Sequence, residues 1–151
     1  VEGEELILTF IIPWVALCSD NRKFKYRYIL SDQYREAKVL IGAIAKAAAK
    51  KNNWVIPTCD VGLHVVVREP DKRRRDLNFS KCAKDGITHG AGVWVDDSQV
   101  REEHWKFIRS DKVSAGATLT IWRLDDVDFL GHDCDCCGGD RTWRVLGQDN
   151  K

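Results

Sequence analysis

Two kinds of apolar pattern run along the chain. From Glu5 to Pro13 it reads ELILTFIIP, apolar at almost every place. Such a run suits a strand buried on both faces, so it is expected in the middle of a sheet. Val61 to Arg68 alternates instead, with Leu63, Val65 and Val67 on one side and His64 and Val66 on the other, the period of a strand. Further strands are expected at Val93–Val95, at Val100–Ser110 with Trp105 and Phe107 on one side, and at Ala117–Leu124. Helical spacing governs residues 32–51, where Tyr34, Ala37, Leu40, Ile41, Ile44, Ala47 and Ala48 share a face. Ser31 suits the N-cap of that helix, with Asp32 in its first turn and Lys46, Lys50 and Lys51 toward its end. Residues 77–87 suit a shorter helix with Lys81 and Asp85 one turn apart. Cys82 would be a small apolar filler inside it. Together these elements predict an α/β (α+β) domain, a small mixed β-sheet with helices packed on one face.

Composition adds a division. The 151 residues are 44% hydrophobic and 31% charged, enough for one domain with a core. The net charge of +1 hides an asymmetry. Residues 1–124 hold 21 basic and 16 acidic residues, net +5, whereas 125–151 hold seven aspartates against Arg141, Arg144 and Lys151. Residues 1–124 therefore read as the folded domain and 125–151 as an acidic, cysteine-containing tail. The stretch from Leu6 to Cys18 is broken by Pro13 and preceded by Glu2, Glu4 and Glu5, which argues against a signal peptide. Nothing has the length of a membrane span. Cys18, Cys59 and Cys82 are scattered and suggest no disulfide framework. A cytoplasmic protein is expected.

The chemistry gathers between Asp71 and Val100, in DKRRRDLNFSKCAKDGITHGAGVWVDDSQV. Lys72, Arg73, Arg74 and Arg75 repel one another and favour an anionic partner such as a phosphate backbone. Asp76, Asn78, Asp96 and Asp97 are oxygen donors of the type that hold Mg²⁺, with Mn²⁺ as a substitute. Lys81 could pair with Asp85 one turn on, a plain surface ion pair. Arg22, Lys23, Lys25 and Arg27 interleave with Phe24, Tyr26 and Tyr28. That loop either grips phosphates and stacks on unpaired bases, or is a solvated hairpin. His64, alone in a strand, is read as structural. In the tail, His132, Cys134, Cys136 and Cys137 suggest Zn²⁺, although the spacing lacks the two-residue gap of a zinc knuckle. The other reading of the tail is an acidic segment that competes with DNA for the basic surface.

The order Arg73-Arg74-Arg75-Asp76-Leu77-Asn78, Lys81, Asp85, a glycine turn, then Trp94-Val95-Asp96-Asp97-Ser98-Gln99-Val100 resembles the RusA-type Holliday junction resolvases. The resemblance covers roughly residues 4–124 and implies the RusA-like fold. It also implies a Mg²⁺-dependent endonuclease of phage or bacterial origin that resolves four-way DNA junctions by paired nicks in recombination and repair. A homodimer would act on branched DNA. Asp76 and Asp97 would bind the metal, with Asp96 secondary and Asn78 as a neutral oxygen ligand. Lys81 would offset transition-state charge, and Asp85 would support it. One departure stands out. The family carries Asp-x-Asp-Asn where this chain has Asp76-Leu77-Asn78, one carboxylate fewer. Asp71 and Asp96 are the nearest replacements. Two alternatives follow: a branched-DNA-binding homodimer impaired in cleavage, and an interaction domain that binds metal through its tail.

Overall fold

The computed structural model describes residues 7–20, 23–26 and 29–124. The acidic tail, with His132, Cys134, Cys136 and Cys137, lies outside the described residues, as do Arg22 and Arg27. In chain order the elements are β1 (Ile7–Pro13), β2 (Phe24–Tyr26), β3 (Ile29–Leu30), α1 (Asp32–Lys51), β4 (Val61–Glu69), α2 (Ser80–Gly90), β5 (Val100–Arg109) and β6 (Gly116–Arg123). Four strands form one sheet in the order β1-β6-β4-β5, and β2 pairs with β3 in a separate hairpin. β6 is antiparallel to both neighbours, while β4 and β5 are parallel and joined through α2. This is the mixed sheet with two helices that the patterning predicts.

The alternation in the strands makes one inner face. Leu8, Phe10 and Ile12 sit opposite Ile121, Leu119 and Ala117. Leu63, Val65 and Val67 continue the same rows. These side chains join Tyr34, Ala37, Ile41 and Ala45 of α1 and Cys82 and Ile87 of α2 in a single buried cluster. Burial of this apolar area is the main favourable term in folding.

The placement of β1 corrects the expectation. It lies at the edge of the sheet, not the middle. Its burial alternates strictly, leaving Ile7 48% and Ile11 61% exposed. Isoleucine favours extended backbone at an exposed edge as well as inside, so an apolar run does not by itself report burial on both faces. β6 takes the interior place.

α1 begins and ends where its pattern and cap indicate. The Ser31 hydroxyl accepts the Tyr34 N–H at 3.1 Å. Its buried stripe is Tyr34, Ala37, Ile41, Gly42, Ala45 and Ala49, whereas Leu40 and Ala47 face outward. α2 starts three residues later than expected. Asp76 accepts the Asn78 N–H at 3.2 Å, an Asx-type turn that holds residues 76–78 out of the helix. The two helices touch backbone to backbone. A Cβ on Gly42 would lie 2.8 Å from the Gly86 carbonyl oxygen and 2.9 Å from the Gly90 Cα.

The expected strand at Val93–Val95 is absent. Val93 and Trp94 are buried, but in a loop held by side chains. Trp54 Nε1 donates to the Val93 carbonyl at 2.8 Å, and Trp94 Nε1 donates to Thr88 Oγ1 at 2.7 Å. The N–H groups of Val95 and Asp96 end on Gln99 Oε1 at 2.7 and 3.0 Å, where a strand partner would otherwise be needed. Among the described residues no helix is long and apolar enough to cross a membrane.

Candidate active site

The N-terminus of α2 is the point to build from. Its N-cap position is Phe79, which supplies no side-chain cap, and its first turn holds no acid. A helix start in that state leaves N–H donors unsatisfied. The missing acceptor comes from 60 residues earlier in the chain. Asp20, just past the exit of β1, accepts the Lys81 N–H at 3.0 Å on one oxygen and the Cys82 N–H at 2.9 Å on the other. The Asp20 N–H in turn donates to the Asn78 carbonyl at 2.8 Å. The β1 exit, the Asp76–Asn78 turn and the first turn of α2 are therefore clamped together by a carboxylate whose role the patterning does not reveal.

That clamp presents Lys81. Its ammonium lies 3.4 Å from Asp85 one turn on and 3.7 Å from Asp97. Asp85 chiefly, and Asp97 after it, hold the Lys81 pKa above the usual lysine value, so it stays cationic. Asp85 is itself fixed from the other side. The hydroxyl of fully buried Tyr34 donates to it at 2.5 Å, and the Lys23 ammonium lies 3.7 Å away. Burial, then the Asp85 hydrogen bond, push the Tyr34 pKa far up, so the phenol keeps its proton. Tyr34 thus ties the N-terminal turn of α1 to the reactive face of α2.

Asp76 occupies the turn ahead of this helix. Ser19 Oγ donates to one of its oxygens and the Asn78 N–H reaches the other. The two adjacent acids Asp96 and Asp97 divide their work. Asp96 caps the 3-10 turn Asp97–Gln99 in a capping box with Gln99. The Ser98 hydroxyl and N–H lower the Asp96 pKa. Gln99 is locked by donating to the carbonyls of Pro57 and Cys59 at 2.9 and 2.8 Å. With that turn fixed, Asp97 faces Lys81. The division follows from the 3-10 turn, not from opposite faces of a strand.

The basic turn leads in from β4. Arg75 pairs with Asp71 at 2.8 Å and with the buried Glu69 at 3.7 Å, and its guanidinium lies 5.2 Å over the Trp14 ring. Arg73 donates its N–H and pairs its side chain to Asp71. The Arg73 N–H foremost, then the two guanidinium groups, lower the Asp71 pKa to about 2. Lys72 and Arg74 are exposed.

Of the sequence-derived candidates, the structure brings Lys81, Asp85 and Asp97 together, with Asp76 one turn ahead. Asn78 contributes its backbone to the Asp20 clamp. Asp71 and Asp96 are engaged in turns of their own. Of the loop cations, Lys25 falls in β2, and Lys23 reaches Asp85. His64 lies on the sheet beside His104, their rings 6.5 Å apart, away from these groups. Ser19, Asp20 and Tyr34 were not singled out from the sequence. No local signal marks them: Asp76, Asn78 and Ser80 are all favourable cap types, so the sequence does not call for a distant acceptor. Among the described residues no three His, Cys, Asp or Glu side chains converge as an ion cage.

Fold and site together define an α+β domain with carboxylates and a lysine beside an arginine turn, the equipment for work on a phosphate backbone. Comparison with known proteins agrees. The family model described as Endodeoxyribonuclease RusA matches residues 13–121, so the chain belongs to the RusA family. The crossover junction endodeoxyribonuclease RusA of Escherichia coli K12 is 33% identical over 93 residues, 59% of this chain and 72% of that protein. The RusA protein of Shigella sonnei gives the same figures. That of Enterobacteria phage 82 is 31% identical over the same coverage.

Proposed function

We propose that this chain is a Mg²⁺-dependent endonuclease that resolves four-way DNA junctions by paired nicks. It would act as a homodimer in the bacterial cytoplasm. The observation that carries the reading is Lys81, held cationic between Asp85 and Asp97 at a helix start that also anchors the Asp76 turn. Family membership and the names of the relatives support the same reaction class. Paired nicks need two sites facing related strands, which a twofold dimer supplies.

The donor chemistry fits a hard cation. Mg²⁺ typically takes one or two carboxylates and completes its shell with substrate phosphates and water. Asp76 and Asp97 would be those carboxylates, with Asn78 and Asp96 as further oxygen donors. Bound there, the ion would supply Lewis acidity at the phosphoryl group and lower the pKa of a water. Mn²⁺ has the same preference for oxygen. The chain's own groups do the rest. Lys81 sets its ammonium against charge that develops on the phosphate in the transition state. Asp85, itself fixed by Tyr34 and Lys23, holds Lys81 in place, and Asp20 fixes its backbone. The basic turn, through Lys72, Arg73, Arg74 and Arg75, positions the DNA without reading its sequence. Arg22, Lys25 and Arg27 are further cations that would suit phosphate contacts.

A second reading, junction binding without cleavage, is favoured by one feature. The Asp76–Asn78 turn carries a single carboxylate, and both oxygens of Asp20 are occupied by amides. One experiment separates the two: cleavage of a synthetic four-way junction in Mg²⁺, with binding followed on the same samples and Asp97→Asn as control. Paired nicks that vanish in the variant support the resolvase. Tight junction binding without nicks, in Mg²⁺ and Mn²⁺ alike, supports the binding protein. No preference for the junction rejects both. It would direct attention to Zn²⁺ and the tail, testable by metal analysis of the purified protein.

A further inference from the structure

Beside Asp76 the surface opens into a cavity of about 400 Å³. That lies within the range of roughly 300–1,000 Å³ usual for small-ligand pockets. Its lining is mixed: Leu17, Trp14 from the turn after β1 and Phe79 at the start of α2 are apolar, and Ser19, Arg75 and Asp76 are polar. Its rim is polar, with Arg74 and Gln33, both exposed. The aromatic wall is rigid. Phe79, 4% exposed, meets the Trp14 ring edge-on at 5.9 Å, and the Arg75 guanidinium lies over the same ring.

An indole with a guanidinium over it, and a second guanidinium at the rim, suits a planar, π-rich group, because bases stack on guanidinium planes as well as on aromatic rings. The carboxamide of Gln33 offers both a donor and an acceptor, the pair needed to read a base edge. Arg74 and Arg75 add charge for the phosphate that such a group carries. We infer that this cavity receives one unstacked nucleobase from the nucleotide adjoining the scissile phosphate, and that Gln33 reads its edge. The inference rests on the nuclease reading above and adds to it a source of base preference. It also gives a reason for preferring branched DNA, since a base at a branch point is already partly unstacked and is the easiest to extrude.

The test uses the full chain and four-way junctions carrying one abasic site at a time around the nick position. Affinity is measured in EDTA, so that binding alone is read. For the wild type, one abasic position should weaken binding about 5- to 100-fold, the size of one base–aromatic stack. In Trp14→Leu that same abasic site should make no difference. Gln33→Ala should flatten the ranking of the four bases at that position. Equal losses in wild type and Trp14→Leu at every position would overturn the pocket while leaving junction binding intact. If Trp14→Leu does not fold, Gln33→Ala decides: an unchanged base ranking rejects the inference. A wild type with no preference for junction over linear duplex rejects the nuclease reading, and the pocket falls with it.

Discussion

Asp20→Ala is the substitution that tests the organisation of the site most directly. The Asp20 carboxylate accepts two N–H groups at the start of α2, from Lys81 at 3.0 Å and Cys82 at 2.9 Å. Loss of an N-cap acceptor costs about 0.5–2 kcal/mol, and a hydrogen bond to a charged group contributes about 1.5–3 kcal/mol. The two donors do not suffer equally. Lys81 is exposed and its N–H can turn to water, whereas Cys82 is 1% exposed and its N–H is left stranded. Counting one full loss and one partial loss gives about 2–3 kcal/mol. For a chain of this size that corresponds to a fall in Tm of about 4–12 °C. Asp20→Asn keeps one acceptor oxygen and should lose about half as much. Thermal and urea denaturation followed by circular dichroism would measure both. An Asp20→Ala protein within about 0.5 kcal/mol of wild type would refute the clamp. So would an Asp20→Asn protein as unstable as Asp20→Ala. Because the clamp also sets the Lys81 backbone, junction cleavage at 25 °C should fall further than the folded fraction does.

Three other outcomes are expected. Lys81→Met should lower the cleavage rate about 100- to 1,000-fold with a much smaller change in junction affinity, measured in single-turnover assays and by anisotropy. Gly42→Ala should destabilise the fold by about 1–3 kcal/mol, because the new methyl meets the backbone of Gly86 and Gly90 and α2 must move away. Urea titrations read that loss directly. Glu103 should make stability depend on acid. Burial raises its pKa, but Ser80, Trp105 and Lys84 together bring it below the usual 4.5. Its contribution is therefore present above pH 4.5 and lost as pH falls through the folded value. Glu103→Gln should flatten that part of the profile in denaturation series run at stepped pH.

The elements that were legible in the sequence share a feature: their signals are local and repeated. α1 has a seryl cap, an amphipathic stripe and lysines at its end, so its limits came out as read. β4 alternates, and the alternation reappears as one buried and one half-buried face. The misreadings also have a common form. The run in β1 was taken for central burial because isoleucine and leucine favour strands at edges and interiors alike. Val93–Val95 has the apolar composition of a strand, yet Gln99, Trp54 and Thr88 satisfy it as a loop with side chains.

The sequence alone determined the α+β class, the basic turn and the kinds of group available: carboxylates, lysines and an arginine run between Asp71 and Val100. Hydrophobic period and residue chemistry are properties of neighbours along the chain, so they are readable there. The tertiary structure decided which of these groups meet. It set Asp97 toward Lys81 and gave Asp96 to a cap. It tied Arg75 to Glu69, Asp71 and Trp14. It brought Ser19, Asp20 and Tyr34 from the β1 exit and α1 to the other half of the site. Those contacts join residues 51 to 62 positions apart. They exist because packing of α1 on α2 through Gly42, Gly86 and Gly90 brings the two halves into hydrogen-bond range, and no local pattern records that approach.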